Sequence, residues 1–142
     1  MNRQYSSVDF NKNQKAINVI ASTTHKFEGL QLEKDKPSTL MEHIKGTPTN
    51  KYINAKNKFV EKLRRVQSCF SEFAGKFDFA FMENTSYNHC VVKAREALAS
   101  LTCSDPVVIG FIADAIKAAD ALLMIPEPPQ VNAAAENAIE GR

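Results

Sequence analysis

The sequence predicts an all-α protein: a bundle of four main helices plus one short helix, with the C-terminal pair forming an antiparallel helical hairpin. The 142 residues include only five glycines and six prolines, too few for the frequent turns of a β-sandwich. Apolar residues recur at spacings of three and four in several segments, which Gly, Pro or polar linkers separate. A chain of this length fits one hydrophobic core and therefore one domain.

The first helix is predicted to begin near Asp9, a residue type that caps helices, and to end at Gly29. Its periodic positions are Phe10, Ile17, Ile20, Thr24 and Phe27. The residues before it, 1–8, are polar and are expected to be flexible.

A short second helix is predicted from a capping box, Thr39-x-x-Glu42, that follows Pro37. It would run through Leu40, Met41 and Ile44 and end at Gly46.

The long third helix is expected to begin at Thr49 or Asn50 and to persist at least to Ala74. Its apolar residues are spaced four, three, four, three and four apart, a heptad pattern typical of a packed helix face. They are Phe59, Leu63, Val66, Phe70, Phe73 and Phe77. After Gly75 the sequence FDFAF alternates at period two; a short strand and a distorted helix end both remain open, and the lack of a partner strand favours the latter.

The last two helices are predicted to form the hairpin. Thr85 or Ser86 caps the fourth helix, and Ser104-Asp105-Pro106 provides a cap and a first-turn proline for the fifth. The apolar positions of the fourth are Tyr87, Val91, Ala94, Leu98 and Leu101. The connection is short, so the two helices should pack antiparallel. The fifth helix is apolar around most of its circumference and is expected at the centre of the bundle, with a narrow solvent-exposed strip formed by Asp114, Lys117 and Asp120.

Residues 9–125 are thus expected to form the single bundle domain, and residues 126–142 a flexible tail. The final residues, Ile139-Glu140-Gly141-Arg142, resemble the factor Xa cleavage site of expression vectors. Residues from about 133 on are therefore expected to be vector-derived rather than native.

The expected compartment is the cytoplasm. The three cysteines are odd in number and lie in apolar helical contexts, which favours reduced thiols over a disulfide framework. The N-terminus has no apolar run typical of a signal peptide. The longest apolar segment, residues 107–125, contains three charged residues, which argues against a membrane span.

Charge is unevenly distributed. Residues 51–80 carry seven Lys or Arg against three Asp or Glu, whereas residues 81–142 carry four against eight. Six basic residues are predicted to form a stripe on the long helix, away from the apolar face, and to bind a partner: Lys51, Lys56, Lys58, Lys62, Arg64 and Arg65. Such a stripe suits either an acidic protein surface or nucleic acid, but the domain as a whole is less basic than nucleic-acid-binding modules usually are.

No catalytic, metal or cofactor site is predicted. The chain has neither a C-x-x-C nor an H-x-x-x-H spacing, no glycine-rich phosphate loop, and no Glu-x-x-His motif of the di-iron bundles. A helix-turn-helix function for the hairpin is disfavoured because its second helix has almost no side chain that hydrogen-bonds to bases.

The sequence favours a small non-catalytic interaction module, such as an adaptor, inhibitor or chaperone-like subunit. Its partner would be another protein, a second copy of the chain included. The alternative is a nucleic-acid-binding accessory subunit that uses the basic stripe. No membrane partner is expected.

Overall fold

The structure is a computed structural model that describes residues 7–30, 32, 35–70 and 86–128, with the backbone alone for residues 7–12. This part of the chain is all-α and has no strand. It comprises α1 (Ser7–Glu28), α2 (Leu40–Lys45), α3 (Pro48–Cys69), α4 (Tyr87–Ser100) and α5 (Pro106–Leu123). The predicted bundle of four main helices plus one short helix is confirmed.

The four main helices form a square. Going around it, α1 packs on α3, α3 on α5, α5 on α4, and α4 on α1. Each neighbouring pair is antiparallel; for α1 and α3, Thr24 contacts Gln67, whereas Glu28, later in α1, contacts Arg64, earlier in α3. The helices α3 and α4 therefore run in the same direction on one diagonal, and residues 71–85, which connect them, lie outside the described part.

A polar residue precedes each of α2, α4 and α5, and its side chain caps the first turn of the helix. Thr39 accepts a hydrogen bond from the backbone of Glu42, Ser86 from His89, and Asp105 from Val107. These caps confirm the predicted starts of α2, α4 and α5. After α2, Gly46 has φ 89°, a conformation that disfavours any residue with a Cβ.

Three helix boundaries differ from the prediction. The first helix already includes Ser7, ahead of Asp9. The third begins at Pro48 because Thr47, not Thr49 or Asn50, accepts the capping hydrogen bond from Asn50, and proline is favoured in the first turn. It ends at Cys69, with Phe70 as its C-terminal cap, short of the predicted Ala74. The FDFAF segment lies outside the described residues.

The core lies between the four main helices. Its largest fully buried side chains include Tyr52, Phe27, Phe59, Ile20, Leu63, Leu98 and Leu122. Phe27 joins three helices, because its ring makes edge contacts with Phe59 of α3, at 5.7 Å between centroids, and with Tyr87 of α4, at 5.1 Å. Edge contacts of this kind stabilise a core beyond the burial of apolar area alone.

The hairpin of α4 and α5 is antiparallel, as predicted, and polar contacts hold it. Arg95 of α4 donates from Nε to Asp120 of α5 at 2.6 Å, a hydrogen bond that raises the pKa of Arg95. Glu127, beyond α5, accepts hydrogen bonds from the backbone of Tyr87 and Asn88. This carboxylate occupies the N-terminus of α4, where unpaired N–H groups attract negative charge.

The helix α5 is less buried than predicted. Its buried residues, Ala115, Ala118, Ala119 and Leu122, all lie in its second half, whereas Val107 and Ile109 are 62% and 47% exposed. The prediction of a narrow solvent-exposed strip on α5 is therefore wrong. This helix occupies a corner of the square, where α3 and α4 cover two of its sides and a broad face remains in solvent.

The loop between α4 and α5 is fixed to α1 by one side chain. Asn13, which is 6% exposed, donates from Nδ2 to the carbonyl of Thr102 at 3.1 Å and accepts from the backbone N–H of Thr102 at 2.8 Å. The Asn13→Ala change removes both hydrogen bonds, so the backbone carbonyl and N–H of Thr102 lose their partner in α1. We expect the free energy of unfolding, measured by urea titration, to fall by about 1–3 kcal/mol.

Asn54→Ala is the matched control, since Asn54 is an exposed residue of α3 and gains the same helix propensity on substitution. It should change stability by less than about 0.5 kcal/mol. Equal effects of the two variants would contradict the role given to Asn13.

Candidate functional site

The aromatic rings and the basic side chains of the long helix α3 lie on different sides of the helix. Phe59, Leu63, Val66 and Phe70 are at most 7% exposed, and the predicted heptad face is thus confirmed over the part of the chain that is described. Phe73 and Phe77 lie outside that part. Because the rings are buried, they are not a platform on which bases could stack.

The six predicted basic residues do not form one stripe. An α-helix turns by about 100° per residue, so the spacing seven, four, three places Lys51, Lys58, Lys62 and Arg65 along one side of α3. We call these four the basic flank. Lys56 and Arg64 lie on the other side of the buried face, towards α1.

Arg64 is engaged within the fold. Its guanidinium donates two hydrogen bonds to the carboxylate of Glu28, at the end of α1, and the Nε bond is 2.6 Å long. Both side chains are partly exposed, 61% and 37%, so the ion pair contributes little stability. Because the Glu28 carboxylate neutralises the Arg64 charge, Arg64 is nevertheless a poor candidate for partner binding.

Lys56 is also set apart from the basic flank. It lines an open pocket of about 380 Å³ together with Leu30, Leu32, Ile53 and Asn57. Burial lowers the pKa of Lys56, the nearby Arg64 lowers it further, and Glu28 opposes both. These surroundings fit a structural lysine whose aliphatic stem covers apolar side chains.

The residues of the basic flank are more available to a binding partner than Lys56 and Arg64 are. Arg65 lies at its edge, since it pairs with Glu61 at 3.5 Å and its guanidinium carbon is 5.4 Å from the centre of the Phe111 ring. Lys51, Lys58 and Lys62 make no ion pair with any residue that the structure describes. Three positive charges therefore remain free to meet a negatively charged partner.

The short helix α2 presents an apolar surface that the bundle does not cover. None of its residues is buried, and its three large apolar side chains are strongly exposed: Leu40 by 75%, Met41 by 58% and Ile44 by 70%. Spacings of one and four residues place all three on the same side of the helix. We call them the α2 patch.

Polar contacts, not core packing, hold α2 in place. Glu42 accepts hydrogen bonds from the backbone and hydroxyl of Ser38, which lower the pKa of its carboxylate. In the preceding linker, the Asp35 backbone N–H donates to Asn50 Oδ1 at 3.0 Å, and Asn50 Nδ2 donates to the Asp35 carbonyl at 3.1 Å. The apolar side chains of α2 are thus presented on a segment that these hydrogen bonds fix, and none of them is buried in the core.

The C-terminal end of α2 lies beside the start of the basic flank. A Cβ built on Gly46, just after α2, would lie 3.8 Å from Cγ of Lys51, the first residue of the basic flank. We call the α2 patch together with the basic flank the docking surface. Sequence reasoning identified its charges but not its apolar part, because nothing in the capping box shows whether Leu40, Met41 and Ile44 find a neighbour.

The remaining candidate groups do not converge. Within the described residues, no group of three or more His, Cys, Asp or Glu side chains could hold a metal ion. Cys69 is exposed, whereas Cys90 is buried. Burial raises the pKa of the Cys90 thiol to about 11. In the described ranges, no helix combines the length and apolar character needed to cross a membrane.

Comparisons with protein-family models, with curated proteins and with solved structures found no match for this chain.

Proposed function

We propose that the chain is a small, non-catalytic helical module that binds another protein through the docking surface. The observation that supports this most strongly is the α2 patch, an ordered helix with three apolar side chains in water and none in the core. Contiguous exposed apolar residues beside polar ones are typical of protein interaction sites.

The α2 patch would supply most of the binding free energy. Covering a Leu, Ile or Met side chain completely contributes roughly 1.5–3 kcal/mol, and the three here are all more than half exposed. Because α2 is already ordered, a partner need not order it on binding, which lowers the entropic cost of association.

The basic flank indicates the charge of the partner. Lys51, Lys58, Lys62 and Arg65 extend over about 21 Å along α3, at a rise of about 1.5 Å per residue. A partner with an acidic surface beside an apolar anchor, such as an amphipathic acidic helix, would match both parts of the docking surface.

Nucleic acid is the second candidate, and the unpaired lysines of the basic flank favour it. A nucleic acid would use the charges but not the α2 patch, whose aliphatic side chains cannot stack on bases as aromatic rings do. The two candidates therefore differ in their dependence on α2.

Two double variants test the proposal in pull-downs with the tagged chain, carried out with and without nuclease treatment. Leu40→Asp with Ile44→Asp removes the apolar anchor and adds negative charge, and Lys58→Glu with Lys62→Glu reverses the basic flank. We expect each to reduce the recovery of the same bound protein at least tenfold, a loss of about 1.4 kcal/mol. All four residues lie at the surface, so thermal unfolding should show little change.

The control is Val92→Asp with Lys93→Glu on α4, the helix diagonally opposite α3, which changes the same residue classes at another exposed site. It should leave recovery unchanged. A partner kept by both docking-surface variants, or lost equally with the control, would refute the proposal. Binding that nuclease abolishes and that only the Lys58→Glu, Lys62→Glu variant weakens would favour nucleic acid instead.

A further inference from the structure

The solvent-facing side of α5 carries a heptad stripe. Six residues spaced three, four, three, four and three apart follow one line along the helix, and all six are exposed. They are Val107, Gly110, Asp114, Lys117, Ala121 and Met124, which we call the α5 stripe. Its end residues, Val107 and Met124, are 62% and 83% exposed. Residues on such a line face the partner when two helices pair side by side.

The α5 stripe is complementary to itself when reversed. If two copies of α5 meet antiparallel, Val107 of each faces Met124 of the other, and Gly110 faces Ala121. The central layer then brings Asp114 opposite Lys117 twice, once on each side of the two-fold axis. Each apolar end meets an apolar end, small residues meet small residues, and each charge meets its opposite.

We propose that the chain forms an antiparallel, two-fold symmetric dimer through the α5 stripe. A symmetric dimer requires a surface that matches itself, and the order of residue types along the stripe meets that requirement. The stripe shares no residue with the docking surface and does not depend on the proposed function.

The charges specify the arrangement of the two helices. A parallel pair would place Asp114 against Asp114 and Lys117 against Lys117, so like charges would repel at two layers. Charged residues in a helix interface often fix register and orientation in this way, at some cost in affinity. Neither side chain forms an ion pair with another residue in the described part of the chain, so both are free to pair across the dimer.

The small residues allow the two helices to approach closely. A Cβ added at Gly110 would meet no atom within 4 Å, so the backbone is open to solvent there. Facing Ala121, Gly110 would leave room for the larger side chains at the ends to overlap the other helix. One helix face per chain is a small interface, below the ~1,200–2,000 Å² of stable complexes, so a weak dimer is expected.

Sedimentation equilibrium of the full chain, over concentrations from about 5 to 500 μM, tests the dimer. The native chain should show a reversible monomer–dimer equilibrium in this range. Asp114→Lys and Lys117→Asp, each alone, should weaken dimerisation at least tenfold because each creates like-charge layers. The two changes together restore opposite charges and should restore the dimer.

Two variants on α4 control for the change in net charge. Glu96→Lys and Lys93→Asp alter exposed residues with the same three-residue spacing and should leave the equilibrium unchanged. The Leu40→Asp, Ile44→Asp variant should also dimerise normally, which separates this inference from the proposed function. A monomer throughout the concentration range, a dimer insensitive to either single change, or failure of the paired change to restore it would overturn the proposal.

Discussion

Replacing Phe59 by alanine is expected to lower the free energy of unfolding by about 3–5 kcal/mol. The ring is fully buried and meets Phe27 of α1 nearly at right angles, with an interplanar angle of 88°. Truncation removes both the burial of the ring and this edge contact, and it leaves a cavity between α1 and α3. Urea unfolding followed by circular dichroism measures the loss.

The exposed neighbour Lys58 provides the control, because Lys58→Ala should change stability by no more than about 0.5 kcal/mol. A domain of this size has only about 5–15 kcal/mol of stability, so Phe59→Ala removes a large part of it. Phe59→Leu is the milder form of the test. A loss below about 1 kcal/mol for Phe59→Ala would mean that the ring is not in the core.

Enlarging Ala115 to leucine should also destabilise the fold strongly, by about 1–3 kcal/mol. Three of the four buried residues of α5 are alanines, so this helix contacts its neighbours through small side chains. Ala115 is fully buried, and three additional carbon atoms there would displace packed neighbours. Thermal unfolding monitored by circular dichroism gives the comparison.

The same substitution elsewhere in α5 provides the control. Ala113 is exposed, and leucine is nearly as good a helix former as alanine, so Ala113→Leu should alter stability by less than about 0.5 kcal/mol. If Ala115→Leu were equally harmless, α5 would not pack on the bundle through the side that the structure gives it.

Local signals predicted the helices well. The caps at Thr39, Ser86 and Asp105 were identified because the first turn of a helix needs acceptors for its unpaired N–H groups. The heptad spacing of α3 correctly placed Phe59 and Phe70 inside, since apolar residues at such spacing form one continuous face. The limits of α3 were less accurate, because Thr47, Thr49 and Asn50 are all capping residue types.

The surfaces were harder to predict, for two physical reasons. Lys56 and Arg64 were grouped with the other cations because they are close in sequence, although the helical turn places them on another side of α3. The exposure of Ile44 or Val107, by contrast, depends on which helices are neighbours, and an apolar residue in the sequence does not reveal whether another helix covers it.

The basic flank depends on one central claim: the ring-bearing side of α3 faces α1, and its lysines therefore face solvent. A double-mutant cycle of Phe27→Leu and Phe59→Leu measures that contact directly, as the coupling between the two rings in the free energy of unfolding. The structure predicts a coupling of about 0.5–1.5 kcal/mol, the usual range for an aromatic pair at edge-contact distance. Effects that simply add, within about 0.3 kcal/mol, would show that the rings do not touch and would contradict the packing of α3 described above.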